Sequence, residues 1–408
     1  WLWADGMLIP QQTPSLFRCL QAYMNILNTL KLPVFTLPRQ SNAQTFPIFL
    51  KKLFKDFIQA IDNVNEGTIT EDLKTNRKKL VKVCNLFVKS ANTYFAGFPS
   101  KAYVEFEEAM TIIEDFLILK NVGVVFNELT PYYRARKGDG KQFQRHEMFH
   151  IPFEERERVT TQRFSVPGLP CIYLSNSVYV CWEELRRPEI TKMQISRYKL
   201  ENIRYKFLDI SLTPSSMCQT LESISSKESA EFSKRTQEEA LDSWNKGSLN
   251  FIMRWPLIAA CSIKVKKEGG AFKPEYIFPQ FLLQWVTHNK NFDGIKYFSV
   301  EANMIDNFNY SKLINYAIPV KTVATSGYCK ELKQSFSLTN PVSWELLTII
   351  NPEVTKHDQE KFSKNIYKLG LDTTGSIFRL IDGKPMLYPH TIFGKLEIEL
   401  SEMEFGKL

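Results

Sequence analysis

Two histidines and a glutamate stand at the spacing that zinc proteases use. In His146, Glu147 and His150 the histidines are four residues apart, so on a helix both would face one metal ion, with the glutamate as its base. Pro152 follows closely and pushes Ile151 out of helical backbone space. The segment can hold barely two helical turns, so we expect a short strand or loop edge and no metal. A zinc hydrolase stays as a minor alternative that metal analysis of the purified protein would decide.

The overall charge is a modest excess of basic residues. There are 52 Lys and Arg against 44 Asp and Glu, a net charge of +8 over 408 residues. The densest basic run is KTNRKK at 74–79. A solvated helix face is the favoured interpretation of such a run, and a nucleic-acid or anionic-substrate surface is the minority one. The sequence therefore disfavours nucleic acid as a partner.

The cysteines indicate a reducing compartment. All seven are scattered, and none forms a C-x-x-C pair, so we expect buried thiols. No apolar run approaches the length of a membrane span, and the given sequence opens with no basic and apolar leader. The sequence predicts a cytoplasmic protein without a membrane partner.

Two textures divide the chain. From about residue 12 to 120, apolar residues recur at helical spacing, which predicts an α-helical domain over 1–123 with a regulatory or interaction role. After Gly123, short β-prone runs alternate irregularly with helix-like stretches, which is typical of an α+β domain, assigned to 124–334. We expect the Ser-rich stretch 211–231 to be a surface loop or short exposed helix. The remainder, 335–408, contains strand-like pieces such as GKLEIEL and is treated as a C-terminal extension.

Four stretches, in order, carry a family resemblance. They are PYYRARKG (131–138), QRFSVPGLPCIYLSNSVYVCWEEL (162–185), FPQFLLQWVTHNKNFDGIKYFS (278–299) and NYAIPV (315–320). Together they resemble the RES domain, a family named for an Arg, a Glu and a Ser, over roughly half the chain. MFHIPFEER is also similar to a segment of its longer members, which makes the HExxH spelling accidental.

The resemblance implies a fold, an activity and a set of site residues. RES domains resemble ADP-ribosyltransferases, and characterised members act on NAD+, several as toxins that deplete it by phosphorolysis to nicotinamide and ADP-ribose 1″-phosphate. The matched catalytic residues would be Arg134, Glu184 and Ser299. The matched NAD+-binding residues would be Arg163, Tyr173 and Arg136, the last also competing with Arg134 for the family's first Arg. A register error of one residue would exchange Glu184 for Glu183.

The chemistry of NAD+ cleavage suits these residue types. Breaking the bond between nicotinamide and ribose builds positive charge on the ribose, which a carboxylate such as Glu184 can stabilise from the first turns of a helix. Guanidinium groups bind phosphate with paired hydrogen bonds, so Arg134 and Arg163 would hold the NAD+ pyrophosphate or an attacking phosphate. Ser299 could donate a hydrogen bond to ribose or phosphate, and Tyr173 could stack on nicotinamide or wall the pocket. The ordinary alternative is that such residues are solvated surface groups or, for Tyr173, core.

Several functions therefore stay in view. With no G-x-G-x-x-G or G-x-x-x-x-G-K-[ST] sequence, a Rossmann dehydrogenase and a P-loop NTPase are disfavoured. The first hypothesis is an NAD+ phosphorylase that acts as a toxin or defence effector, with inorganic phosphate as co-substrate and an antitoxin or regulatory protein bound through the N-terminal domain. NAD+ glycohydrolase and ADP-ribosyltransferase activities are alternatives. A catalytically inactive protein- or RNA-binding module is the alternative of another class, and its binding would collapse as salt rises.

Overall fold

The chain folds into two compact units. The computed structural model describes residues 2–4, 7–9, 28, 30–41, 45–64, 68–118, 130–138, 141–201, 205–213, 237–267, 269–302, 313–343, 377–379 and 385–408. Unit 1 comprises Trp1–Ile118 and Leu212–Phe278, and unit 2 comprises Leu119–Ser211 and Pro279–Leu408. Residues 212–278 thus group with the N-terminal helices, and the C-terminal residues group with the sheet.

Helices and strands are numbered along the chain. The helices are α1 (Phe46–Asp62), α2 (Thr68–Phe95), α3 (Pro99–Leu117), α4 (Val178–Glu184), α5 (Gln237–Cys261), α6 (Ile277–His288), α7 (Lys330–Ser335) and α8 (Ile392–Glu402). The strands are β1 (Leu2–Ala4), β2 (Met7–Ile9), β3 (Arg39–Gln40), β4 (Tyr132–Lys137), β5 (Cys171–Ser175), β6 (Met193–Leu200), β7 (Phe207–Ile210), β8 (Ile263–Lys264), β9 (Gly294–Phe298), β10 (Ile314–Pro319), β11 (Phe336–Leu338), β12 (Val342–Ser343), β13 (Ile377–Arg379) and β14 (Pro385–Leu387). Helices precede a sheet region, and the predicted α+β class is confirmed.

Unit 1 is built on α1, α2, α3 and α5. Gly97, with a φ of 90°, lies in the left-handed region two residues after α2, and α3 begins at Pro99; both residues are common at such helix ends. The helices bury aromatic side chains between them, and the Phe57 and Trp255 rings stack with centroids 4.3 Å apart. Sequence reasoning missed α5, which carries a proline at position 256.

Unit 2 contains an eight-stranded sheet. Its strand order is β11-β6-β4-β5-β10-β9-β7, with β12 also paired to β6. All pairs are antiparallel except β7 with β9. Six residue pairs join β4 to β6, whereas the register of β4 with β5 contains the single pair Tyr133 and Ser175. The sheet therefore has a narrow join at its middle.

Helices α4 and α8 pack over the face of the sheet that carries Tyr133. Their apolar side chains form one core with residues of β4 and β6. The GKLEIEL segment, expected to be a strand, is part of α8 and that prediction is wrong. Thr391 caps the helix by accepting from the Gly394 N–H. The alternation that suggested a strand arises because Glu397, between apolar neighbours, is itself buried and accepts from the Val178 N–H at 2.7 Å.

Most of the remaining expectations concern described residues, and one concerns residues outside the described ranges. Cys84, Cys171, Cys181, Cys261 and Cys329 are buried free thiols, as expected. Residues 74–79 lie on α2 with their basic side chains exposed. Within the described residues, no helix is both long and apolar enough to cross a bilayer. The Ser-rich stretch lies outside the described residues after position 213.

Candidate functional site

The ends of three neighbouring strands bring the candidate residues together. Strand β5 ends at Ser175, directly opposite Asn315 near the start of β10. On the other side of β10, Ile314 pairs with Phe298, the last residue of β9. The next backbone N–H, that of Ser299, donates to the Leu313 carbonyl at 2.7 Å. Because antiparallel strands reverse direction, these ends meet at one edge of the sheet.

Glu184 is the last residue of α4, and its side chain reaches this edge of the sheet. Its Oε1 atom accepts from the Ser299 hydroxyl and from the Asn315 side-chain amide, each at 2.7 Å. Both donors are themselves held: Ser299 Oγ accepts from the Ala302 N–H at 3.1 Å, and Asn315 Oδ1 accepts from the Ser175 hydroxyl at 2.5 Å. Within the described residues, Glu184 Oε2 makes no hydrogen bond, and the residue is exposed. The carboxylate is therefore fixed through one oxygen, and the other oxygen remains available on an exposed residue.

The pKa of Glu184 is raised from its ordinary value. Burial of the carboxyl group among protein atoms is the largest cause, and the charge of Glu301 adds to it. Hydrogen bonds from Ser299 and Asn315 and the charge of Arg163 oppose the rise. Glu184 was expected on the first turns of a helix, but it is the last residue of α4. A helix C-terminus disfavours negative charge.

Glu183 and Glu184 have different surroundings. The Glu183 side chain is 4% exposed, and its Oε2 accepts from Arg187 Nε at 2.8 Å, one helical turn away. Arg187 also lies over the Trp182 ring. Glu183 is thus a partnered, buried residue, and Glu184 is the carboxylate that meets Ser299.

Arg163 is carried by a tightly held turn before β5. Ser165 is fully buried, and its Oγ bonds both the N–H and the carbonyl of Gln162. The Tyr173 hydroxyl donates to the Phe164 carbonyl at 2.7 Å. Tyr173 therefore positions the turn that bears Arg163, and burial raises the pKa of its phenol well above the ordinary value.

A second glutamate joins two arginines beside this turn. Glu301 Oε1 lies 3.8 Å from Arg163 Nη2, and Glu301 Oε2 lies 3.7 Å from Arg186 Nη1. Arg186 and Arg187, the second and third residues after α4, have φ values of 64° and 52°. Left-handed backbone is unfavourable for side chains of this kind, and such outliers concentrate at functional sites.

Arg134 lies at the narrow join of the sheet. Strand alternation places it on the face opposite Tyr133 and Ser175, and its Nη1 atom reaches the Tyr173 carbonyl at 3.5 Å. Its Nε atom is buried without a hydrogen-bond partner. Within the described residues, no carboxylate lies within ion-pair distance of Arg134, so this half-buried cation has no protein counter-charge.

Arg136 is engaged two residues further along β4. Its guanidinium donates to the Glu147 carbonyl and lies 4.7 Å from the centre of the Phe143 ring. Burial and the charges of Arg134 and Arg158 lower the pKa of Arg136. No contact joins Arg136 to Glu184 in the described part of the chain.

The HExxH residues occupy a short 3-10 turn and the loop after it. The turn ends at Met148, and His150 lies beyond it, as the proline suggested. His150 Nε2 accepts from the Cys329 N–H at 2.9 Å, so Nδ1 carries the proton and donates to the Ile151 carbonyl. The Glu147 carboxylate pairs with Lys141 and accepts from the Gln144 N–H. No three His, Cys, Asp or Glu of the described ranges are arranged to hold a metal ion.

The structure thus brings together part of the predicted set. Glu184, Ser299 and Arg163 share one neighbourhood, Tyr173 supports it, and Arg134 connects only through the Tyr173 carbonyl. Sequence reasoning gave no role to Asn315 or Glu301. Asn315 opens the NYAIPV stretch and Glu301 follows Ser299 by two residues, but their partners lie far away in sequence.

Comparison with known proteins gives one close relationship. The chain is 34% identical over 358 residues to a Bacillus subtilis (strain 168) protein named "Putative toxin YopC", covering 82% of this chain and 77% of that protein. No protein-family model matches the chain, and no solved structure matches it. The resemblance to RES domains therefore stays a prediction.

Proposed function

The chain belongs to the family of the Bacillus subtilis protein named "Putative toxin YopC", and from that premise we propose that it is a toxin that consumes NAD+. In the favoured reaction, a phosphate oxygen bonds to the ribose carbon while the bond from that carbon to nicotinamide breaks. The electron pair of the broken bond leaves with nicotinamide, which becomes neutral, and the other product is ADP-ribose 1″-phosphate. Hydrolysis and transfer to a macromolecule use the same bond cleavage with another acceptor.

One observation carries the proposal: the Glu184 carboxylate is fixed through Oε1, and its Oε2 accepts no hydrogen bond from the described residues. Two donors orient Oε1, so little reorganisation is needed when positive charge develops nearby. A carboxylate that has lost conformational freedom in advance stabilises an oxocarbenium-like ribose better than a mobile surface group does.

Basic side chains of the same unit supply the second requirement. NAD+ carries a negatively charged pyrophosphate, and a phosphorylase must also bind a second anion. Arg163 lies close enough to affect the titration of Glu184. Arg134, a half-buried cation without an ion pair in the described residues, is suited to an anionic group. We assign both arginines to anion binding and Tyr173 to supporting the Arg163 turn.

The test is NAD+ consumption by the purified chain with and without inorganic phosphate, with products separated by mass. Glu184→Gln is compared with Glu189→Gln, because Glu189 is an exposed residue whose ion pair among the described residues is with Lys192. We expect phosphate-dependent formation of ADP-ribose 1″-phosphate by the parent and by Glu189→Gln, and none by Glu184→Gln.

Other outcomes separate the alternatives. Loss of NAD+ without phosphate would identify a glycohydrolase or a transferase. No loss under either condition, together with salt-sensitive binding to RNA or protein, would favour a binding module. In cells, growth arrest on expression should disappear with Glu184→Gln, and equal toxicity of the variant would contradict the assignment of this site.

We also propose that a protein partner restrains the activity, since unrestrained loss of NAD+ would kill the producing cell.

A further inference from the structure

We propose that Arg163 and Arg186 form a binding site for a phosphoryl group, and that the Glu301 carboxylate fills this site as an internal placeholder until the ligand displaces it. The ligand is an anionic phosphoryl group, supplied either by the NAD+ pyrophosphate or by inorganic phosphate. The inference rests on the proposed function for its biological meaning, and its binding chemistry can be tested without it.

The contacts of Glu301 resemble those of a bound anion. One carboxylate oxygen faces Arg163 at 3.8 Å and the other faces Arg186 at 3.7 Å. Two guanidinium groups that meet the two oxygens of one anion are the arrangement that proteins use for carboxylate and phosphate alike. Both distances exceed hydrogen-bond length, so the carboxylate fits the site more loosely than a phosphoryl group with more oxygens would.

The two arginines differ in exposure, with Arg163 buried and Arg186 accessible to solvent. The Arg163 side chain is 10% exposed, whereas that of Arg186 is 38% exposed and that of Glu301 25% exposed. An anion arriving from solvent would meet Arg186 first and then Arg163. Exchange of Glu301 for a ligand therefore needs no opening of the core.

The backbone is fixed on both sides of the placeholder. Ser299 Oγ accepts from the Ala302 N–H, which holds the turn containing Glu301, and Ala302 is buried. Arg186 is held by its own turn, in which its N–H donates to the Glu183 carbonyl at 2.9 Å. The side chain of Glu301 can thus rotate away while the two guanidinium groups stay in place.

Displacement of Glu301 would also act on the neighbouring carboxylate. The charge of Glu301 raises the pKa of Glu184, and Arg163 lowers it. The ligand that replaces Glu301 brings at least as much negative charge, so the pKa of Glu184 stays raised or rises further when the phosphoryl site fills. Ligand binding and the charged state of Glu184 are then coupled.

The experiment measures direct binding of inorganic phosphate and, separately, of NAD+ to the full chain by calorimetry. With Glu301→Gln, which removes the competing charge, we expect the dissociation constant to fall by about three- to tenfold. With Arg186→Asn, which tolerates left-handed backbone, we expect binding to weaken about tenfold, the loss typical of one charge-assisted donor. Glu189→Gln is the matched control and should bind like the parent. The two titrations show which source supplies the phosphoryl group.

The proposal has clear contrary results. If Glu301 only holds Arg163 in place, Glu301→Gln will bind equally or more weakly, and the placeholder role is wrong. Unchanged binding by a folded Arg186→Asn, or no binding of either ligand by the parent at millimolar concentration, also overturns it. Arg186→Lys keeps the charge and should bind between the parent and Arg186→Asn. Absence of NAD+ turnover with these binding changes intact would overturn the proposed function and leave the phosphoryl site standing.

Discussion

Two groups of residues in unit 2 contain chemically active side chains, and they differ in what their atoms are left to do. Around His150, both ring nitrogens have backbone partners and the side chain is 1% exposed. Around Glu184, two donors hold one oxygen, while the other accepts no hydrogen bond from the described residues. Both ring nitrogens of His150 are therefore used in holding the fold together. The Glu184 carboxylate is oriented in the same way, but it still has one oxygen available. Availability of an oriented atom separates a structural group from a candidate catalytic one more sharply than residue type does.

The largest expected difference is between Glu184 and Glu183. Glu184→Gln keeps an acceptor oxygen for Ser299, so we expect NAD+ turnover to fall about 1000-fold while the free energy of unfolding changes by less than about 0.5 kcal/mol. Glu183→Gln should do the opposite, because it removes the buried partner of Arg187: stability should fall by about 1 kcal/mol with turnover nearly unchanged. Turnover and chemical denaturation measured on both variants check this. The reverse pattern would move the catalytic role to Glu183.

Acid should destabilise the chain through His150. Burial lowers the pKa of His150 to about 4 from an ordinary 6.5. Above pH 6.5 the ring is neutral in both the folded and the unfolded chain; below it, only the unfolded chain binds the proton. Stability is therefore lost as pH falls from about 6.5 to about 4, by up to about 3 kcal/mol in total.

The measurement is denaturant unfolding at several pH values for the parent and for His150→Gln. Glutamine can still accept from the Cys329 N–H but cannot titrate. The variant should be less stable at pH 7, since the Ile151 carbonyl loses its donor, and flatter between pH 6.5 and 4. Parallel curves for the two proteins would assign the acid sensitivity to another group.

A smaller effect is expected from Ser299. Its hydrogen bond lowers the pKa of Glu184 against the rise caused by burial. Ser299→Ala should raise that pKa further, so turnover, which needs the ionised carboxylate, should begin to fall at a higher pH. We expect the acid limb of the pH profile to move by up to about one pH unit. Ser401→Ala, whose hydroxyl donates within α8 to the Ile398 carbonyl, is the control, and an unmoved limb in Ser299→Ala would exclude this tuning.

The fold was predictable where one local pattern decided the structure. The helical spacing of α1 and the β-prone runs of β5 and β9 identified those elements. Helix α8 was mistaken for a strand because Glu397 lies buried among apolar neighbours. Its carboxylate accepts hydrogen bonds from the Val178 N–H and the Tyr388 hydroxyl, and the first of these lies 219 residues earlier in the sequence. Residues 212–278 return to the N-terminal helices, which no local pattern reveals.

Deleting residues 1–120 would uncover buried residues of α5 such as Phe251 and Trp255, so such a truncation would test folding before it tested regulation.

The site was predictable in residue types and only partly in arrangement. The resemblance named Glu184 and Ser299, which touch, but not Asn315, whose amide contributes an equal hydrogen bond. Asn315 acts because β10 lies between β5 and β9, and strand order is a property of the whole sheet. The resemblance also grouped Arg136 with the site, although its guanidinium is directed to the Glu147 carbonyl.

The left-handed backbone at Arg186 and Arg187 has a consequence for laboratory evolution. Glycine adopts this conformation at little cost, so Arg186→Gly should relieve about 1 kcal/mol of strain. Selection for thermal resistance alone would then favour a substitution that removes a guanidinium from the rim of the candidate site. A library screened only for survival on heating would drift toward stable proteins that lack the Arg186 guanidinium of the proposed anion site.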